Sequence, residues 1–282
     1  MNEMKGNSMA VFNSNDIYPI SADSELPFEQ HRDIFHLTGI DQEETILLLY
    51  PPSKDDKTRE ILFIRKSDNH TKVWEGEKLS KKQANELSGI DSIYFIDDFK
   101  DILSSIATKV DTFYINKNEH YIANSPVETR EDRFISWLLK NYPAHNVAKS
   151  NPILQRQRSI KHPDEIDQIK KACDITRKGF NRVLKFIKPD VWEYEIEAEF
   201  IHEFINSSSK GFAYSPIIAS GDDNNVLHYI KNNKQCKSGE LILMDVGAEY
   251  GNYSSDMTRT VPVSGKFTKR QKEIYNAVLR VK

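Results

Sequence analysis

An acid in the middle of an apolar strand is the feature of this chain that most asks for chemistry. From Leu241 to Val246 every residue is apolar except Asp245, and after ten further residues Asp256 opens the run Asp-Met-Thr-Arg-Thr260. Asp is depleted in strands, and an unpaired carboxylate inside a sheet costs several kcal/mol, so a cation should compensate it. If the chain turns back through a two-residue loop at Tyr250-Gly251, Asp245 lies directly opposite Asp256. Cβ atoms so placed are roughly 4.5 to 5.5 Å apart, a spacing at which two carboxylates repel unless they share a cation. Shared metal coordination is the economical reading. The bland alternative is that Asp245 caps a turn or pairs with Arg259.

The elements that would position this pair form the second half of the chain. Pro163 opens a helix whose apolar residues Ile166, Ile169, Cys173, Thr176, Phe180, Val183 and Ile187 recur at three- and four-residue steps, and Pro189 stops it. A second helix runs from Glu193 to Ser207 with Ile196, Phe200 and Phe204 on one face. Tyr214–Ala219, Leu241–Val246 and Tyr253–Val261 then read as strands, so this half is α+β, helices against an antiparallel sheet. Thr268 to Lys282 reads as a closing helix, with Thr268 and Gln271 as a capping box and Ile274, Val278 and Val281 as its stripe.

The first half alternates strands and helices in the manner of an α/β layer. Strands are expected at 45–50, 61–64, 92–96 and 112–116, and helices at 80–87, 100–107 and 128–141. Around residues 148–158 the pattern dissolves into a polar stretch, which places a boundary between domains at 1–157 and 158–282. A length of 282 residues suits two domains on a prior of about 150 residues each.

Composition narrows the partners. The formal charge of −3, with both signs mixed along the chain, favours neither nucleic acid nor anionic lipid. No apolar run approaches the roughly 18 residues of a membrane helix. Two cysteines without metal-type spacing indicate neither a disulfide framework nor a thiolate site. Together these describe a soluble protein of the cytoplasm.

The string around the aspartates has a family resemblance. Asp245, ten residues, Asp256, then Thr-Arg-Thr-Val-Pro-Val-Ser-Gly265 resembles the signature hairpin of the pitta-bread metallopeptidases, in the aminopeptidase P and prolidase branch. Phe28 to Gly39 and Val73-Trp-Glu-Gly-Glu-Lys-Leu79 resemble pieces of the aminopeptidase P N-terminal domain, and Ile160-Lys-His-Pro-Asp-Glu-Ile166 and Lys188-Pro-Asp-Val-Trp-Glu193 continue the family order. Asp190 and Glu29 depart from it, where the family often has Gly and Arg. Methionine aminopeptidases share a related aspartate pair but normally lack such an N-terminal domain.

The resemblance implies two divalent metal ions, manganese first, with Asp245 binding one and Asp256 bridging both. It implies that His228 contacts substrate and stabilises the tetrahedral intermediate, the alternative being a packed strand histidine. The other seven histidines have no metal-ligand spacing and read as surface or packing residues. Two cations held by carboxylates and imidazole would acidify a bridging water, so water rather than protein would be the nucleophile. The implied substrate is a peptide with proline second, the implied assembly a homo-oligomer, with a prolidase-like dipeptidase or a non-catalytic interaction module as alternatives. The family also uses a His and two Glu from later strands. The expectation is therefore an α/β N-terminal domain followed by an incomplete pitta-bread domain, in a chain that is an inactive fragment of the enzyme.

Overall fold

A computed structural model describes residues 1–117 and 127–282. Of the histidines, His120 lies outside the described residues. The chain divides into two compact units, Met1–Ile160 and Lys161–Lys282, each with its own hydrophobic core.

In the first unit six strands form one mixed sheet, in spatial order Ser92–Phe95, Glu60–Ile64, Ile46–Leu49, Ser8–Asn13, Thr112–Ile115 and Asn146–Lys149. Helices cover both faces. Met9 and Val11 pack with Leu103 and Leu138 on one side, and Ala10 and Phe12 with Ile34 and Ala84 on the other. The α/β class expected from the alternation is the one observed, but its central strand, Ser8–Asn13, was not among those expected. All six of its residues are buried. A strand covered on both faces carries no apolar–polar alternation, and its apolar run, Met9 to Phe12, is too short for periodicity to separate it from a buried helix segment.

The stretch 148–158 also differs from expectation. It holds the end of the edge strand Asn146–Lys149 and most of the helix Asn151–Ser159. Only Leu154 of that helix is buried. Arg158 reaches Asp33 at 2.7 Å, and Asn116 donates to the same carboxylate at 3.0 Å. Polar ties rather than a broad apolar stripe hold this helix, which is why periodicity misses it.

The second unit is α+β. Helix Pro163–Phe186 contributes Ile175, Phe180 and Val183 to a core that it shares with Ile196, Phe200 and Phe204 of helix Glu193–Asn206. The helices cross at Gly179, where an added Cβ would stand 2.8 Å from the Phe204 ring and 2.9 Å from that of Phe200. The buried stripe of the long helix starts at Ala172 and Ile175 rather than at the expected Ile166, Ile169 and Cys173. Ile166 is 40% exposed because it lies before the buried part of the helix, and Cys173 is exposed because it follows Ala172 on the solvent side of the stripe.

Against these helices lie Ile217–Ser220, Leu241–Val246 and Met257–Pro262, an antiparallel sheet with Leu241–Val246 in the middle. Ile242, Met244 and Val246 alternate into the core, each fully buried. Beyond Val246 the two arms of the hairpin leave this sheet and join a second one, in which Ala248–Tyr250 pairs with Tyr253–Ser254 and with Gly211–Phe212.

The hairpin turns at Gly251-Asn252 rather than at Tyr250-Gly251. Gly251 and Asn252 both have left-handed backbones, φ 57° and 65°. A two-residue turn of this hand requires that conformation at both central positions, which glycine and asparagine tolerate and tyrosine does not. The register therefore shifts by two: Tyr250 faces Tyr253, and Asp245 faces Thr258 instead of Asp256.

The closing helix, Lys269–Val281, has the expected capping box between Thr268 and Gln271. None of its residues is buried, and Ile274, Val278 and Val281 are 50%, 63% and 90% exposed. Among the described residues no helix is long and apolar enough to cross a membrane.

Candidate metal centre

Asp245 is placed by alternation. Its neighbours Met244 and Val246 are fully buried against the helices, so its own carboxylate emerges on the opposite face of the strand, between Ile217 and Thr258 on the flanking strands. Arg259 faces Met244 and is therefore on the other face from Asp245; its Nη1 donates to the Thr258 carbonyl at 2.7 Å. Pairing of Asp245 with Arg259, the bland alternative, is not what the strand pairing allows.

Asp256 is placed by the kink between the two sheets. Ser255 is buried and held from three directions: its Oγ lies 2.7 Å from Thr176 Oγ1 on the long helix, it accepts from Ala248 N at 3.0 Å, and its own N donates to the Ala248 carbonyl at 3.0 Å. Ala248 N also donates to Thr176 Oγ1 at 2.8 Å. Asp256, the next residue, is exposed and stands outside the ladder opposite Gly247. Gly247 admits this close crossing, since an added Cβ would stand 1.8 Å from the Ser255 carbonyl oxygen and 3.1 Å from the Tyr214 ring.

The two carboxylates meet at a third group. The Tyr214 hydroxyl donates to Asp245 Oδ1 at 2.7 Å and lies 3.1 Å from Asp256 Oδ1. One hydroxyl has one proton, so it can neutralise neither acid and can satisfy only one at a time. Burial, then the hydrogen bond to Asp245 and the charges of both aspartates, push the Tyr214 hydroxyl well above the usual tyrosine range. No Lys or Arg among the described residues makes an ion pair with either aspartate. Two oxygen-donor groups converging without a protein cation fit a divalent metal.

Tyr214 was missed in the sequence because it opened what read as an ordinary strand, Tyr214–Ala219. The strand begins only at Ile217. Tyr214 instead follows the short strand Gly211–Phe212, and Ala213 N donates to the Gly247 carbonyl at 2.8 Å, which brings the phenol alongside the kink. No local spacing signal could have found it, since its partners lie 31 and 42 residues away.

His228 sits on an exposed turn after the short 3-10 helix Gly221–Asn225, not in a packed strand. No hydrogen bond or ion pair joins it to Asp245 or Asp256 among the described residues. Nor do the described residues contain a group of three or more His, Cys, Asp or Glu placed to hold a metal ion. Thus the structure joins Asp245, Asp256 and Tyr214 by hydrogen bonds that do not include His228.

Comparison with known proteins finds matches to both parts of the chain. The profile for the metallopeptidase family M24 matches residues 167–282, and that for the aminopeptidase P N-terminal domain matches residues 1–114. Those matches define the class, an M24 metallopeptidase segment preceded by a domain of its own. Among curated relatives, the Xaa-Pro aminopeptidase of Escherichia coli is 32% identical over 260 residues, covering 92% of this chain and 59% of the relative. The human Xaa-Pro aminopeptidase 3 is 30% identical over 271 residues, covering 95% of this chain and 53% of the relative. A solved structure of zinc-substituted E. coli aminopeptidase P in complex with product matches with a TM-score of 0.87 at 30% identity, over 99% of this chain and 63% of that one. The chain thus resembles aminopeptidase P in its N-terminal domain and in part of its catalytic domain, and spans less than two thirds of the length of these relatives.

Proposed function

We propose that this chain is part of a metal-dependent exopeptidase that releases the N-terminal residue from peptides with proline in second place. The observation that carries this reading is the convergence of Asp245 and Asp256 on one hydroxyl with no basic partner among the described residues. In it the two aspartates are metal ligands, Tyr214 orients them, and His228 contacts the substrate. When bound, divalent cations supply Lewis acidity and an acidified water at such a site. Asp245 contributes a ligand held rigidly by a central strand; Asp256 contributes one from an exposed kink. Tyr214 keeps their inner oxygens turned toward each other.

Oxygen donors without thiolate support manganese as the metal, although one relative was solved with zinc. The substrate preference is supported by the names of the relatives, whereas assembly as a homo-oligomer rests only on the resemblance to the family. A cytoplasmic setting is supported by two free thiols, one of them buried. The reading assigns residues 1–157 to the N-terminal domain and 158–282 to the catalytic one. It extends to the 282-residue chain being inert toward peptides, with turnover needing further His and Glu ligands.

The test is a manganese titration of the chain beside Asp245→Asn and Asp256→Asn. Saturable binding that weakens at least tenfold in both variants supports the ligand assignment, and equal affinity in all three overturns it. In any longer product that carries this segment, cleavage of Xaa-Pro-Xaa peptides is expected; cleavage restricted to Xaa-Pro dipeptides would favour the prolidase-like reading instead.

A further inference from the structure

Glu193 is a fully buried carboxylate at the first position of helix Glu193–Asn206. Its Oε1 accepts from Ser220 N and Ser220 Oγ, both at 2.7 Å. Its Oε2 accepts from the Tyr229 hydroxyl at 2.8 Å and from Lys234 N at 3.0 Å. All four lone-pair directions are filled, by donors from three separate segments. A glutamate in a first helical turn gains from the macrodipole while still exposed, so the dipole does not explain burial. Burying a charge costs several kcal/mol unless such a set of donors offsets it, and what the set holds together is informative.

Two of the donors flank His228 in the chain. Ser220 ends the strand whose other end, Ile217, faces Asp245. Tyr229 follows His228 directly. In the turn itself Leu227 is 84% exposed, His228 is exposed and Ile230 is 59% exposed, whereas Tyr229 is buried. The turn is thus fastened to the body of the unit at Tyr229, and the end of that side chain rests on Glu193. Asn233 Oδ1 is a weaker second neighbour of the same hydroxyl, at 3.4 Å.

The geometry points to Glu193 as the positioning residue for His228: its carboxylate fixes Tyr229, and through it the His228 turn, relative to the strand that faces Asp245. The inference rests on the reading of His228 as the substrate-contacting group. Glu193 touches no reacting atom and acts through Tyr229. An amide in its place would present N–H groups to donors on one side, so Glu193→Gln keeps the volume and breaks the arrangement.

The test follows the ring resonances of histidine-labelled chain by NMR, with His228 assigned from the signal that His228→Gln removes. Glu193→Gln and Tyr229→Phe are expected to shift or broaden the His228 signal. The signal of His202, on the same helix as Glu193, is expected to stay in place. Should Glu193→Gln fail to fold, Tyr229→Phe carries the test alone, since it removes one hydroxyl. An unmoved His228 signal in Tyr229→Phe overturns the inference, as does equal disturbance of His202, which would indicate a general structural role. Titration with an Xaa-Pro-Xaa tripeptide separates this from the functional reading. A His228 signal that ignores the peptide yet responds to Tyr229→Phe counts against the substrate role and leaves the positioning role standing.

Discussion

Gly247 and Ser255 cross so closely that a Cβ on the glycine would stand 1.8 Å from the serine carbonyl oxygen. That contact sets the kink from which Asp256 emerges toward Asp245. Gly247→Ala should therefore force the hairpin arms apart, costing at least about 2 kcal/mol in chemical denaturation. Manganese affinity should fall with it. Unchanged stability would show that the arms can separate without cost.

The shared hydroxyl makes a pH-dependent prediction. The Tyr214 pKa is raised in the folded state, so the protonated phenol stabilises the fold fully below the ordinary tyrosine value of about 10 and loses that contribution as pH rises through the folded value. Above pH of about 10 the wild-type chain should lose stability more steeply than Tyr214→Phe. Tyr229, also raised by burial and by Glu193, remains in both and contributes equally. Parallel stability curves above that pH would contradict the shift. At neutral pH the same variant should cost about 1 kcal/mol for the lost hydrogen bond.

Without metal the aspartate pair is a liability. Asp256→Asn should stabilise the metal-free chain by roughly 0.2–1 kcal/mol, the scale of like-charge repulsion across strands. A thermal melt in chelator reads this directly, and a loss of stability would mean that Asp256 has a structural partner of its own.

Gly179 tests the packing behind the site. Gly179→Ala should push against the rings of Phe200 and Phe204, costing about 1–3 kcal/mol in thermal or denaturant unfolding, because both rings are fully buried and cannot swing aside.

Much of this was legible in the sequence, for identifiable reasons. Ile196, Phe200 and Phe204 line one helix face at regular steps and are all fully buried. Asp245 stood out because every flanking residue was apolar. What escaped was non-local. The register depended on Asn252 accepting a left-handed backbone, a choice made by the turn and not by the strands. Tyr214 meets the aspartates, and Glu193 meets Tyr229, across tens of residues of chain, and neither contact sits in a pattern that periodicity can detect. The strand Ser8–Asn13 was hidden by being buried on both faces.

The hairpin keeps one register from Tyr250 and Tyr253 at its turn to Leu241 and Pro262 at its far end, straight through the kink. It therefore works as a caliper. The opening between its two acidic jaws is set at the hinge by Gly251 and Asn252, so adding or removing a single residue there would rotate one jaw to the back of the instrument while leaving every residue at the jaws unchanged.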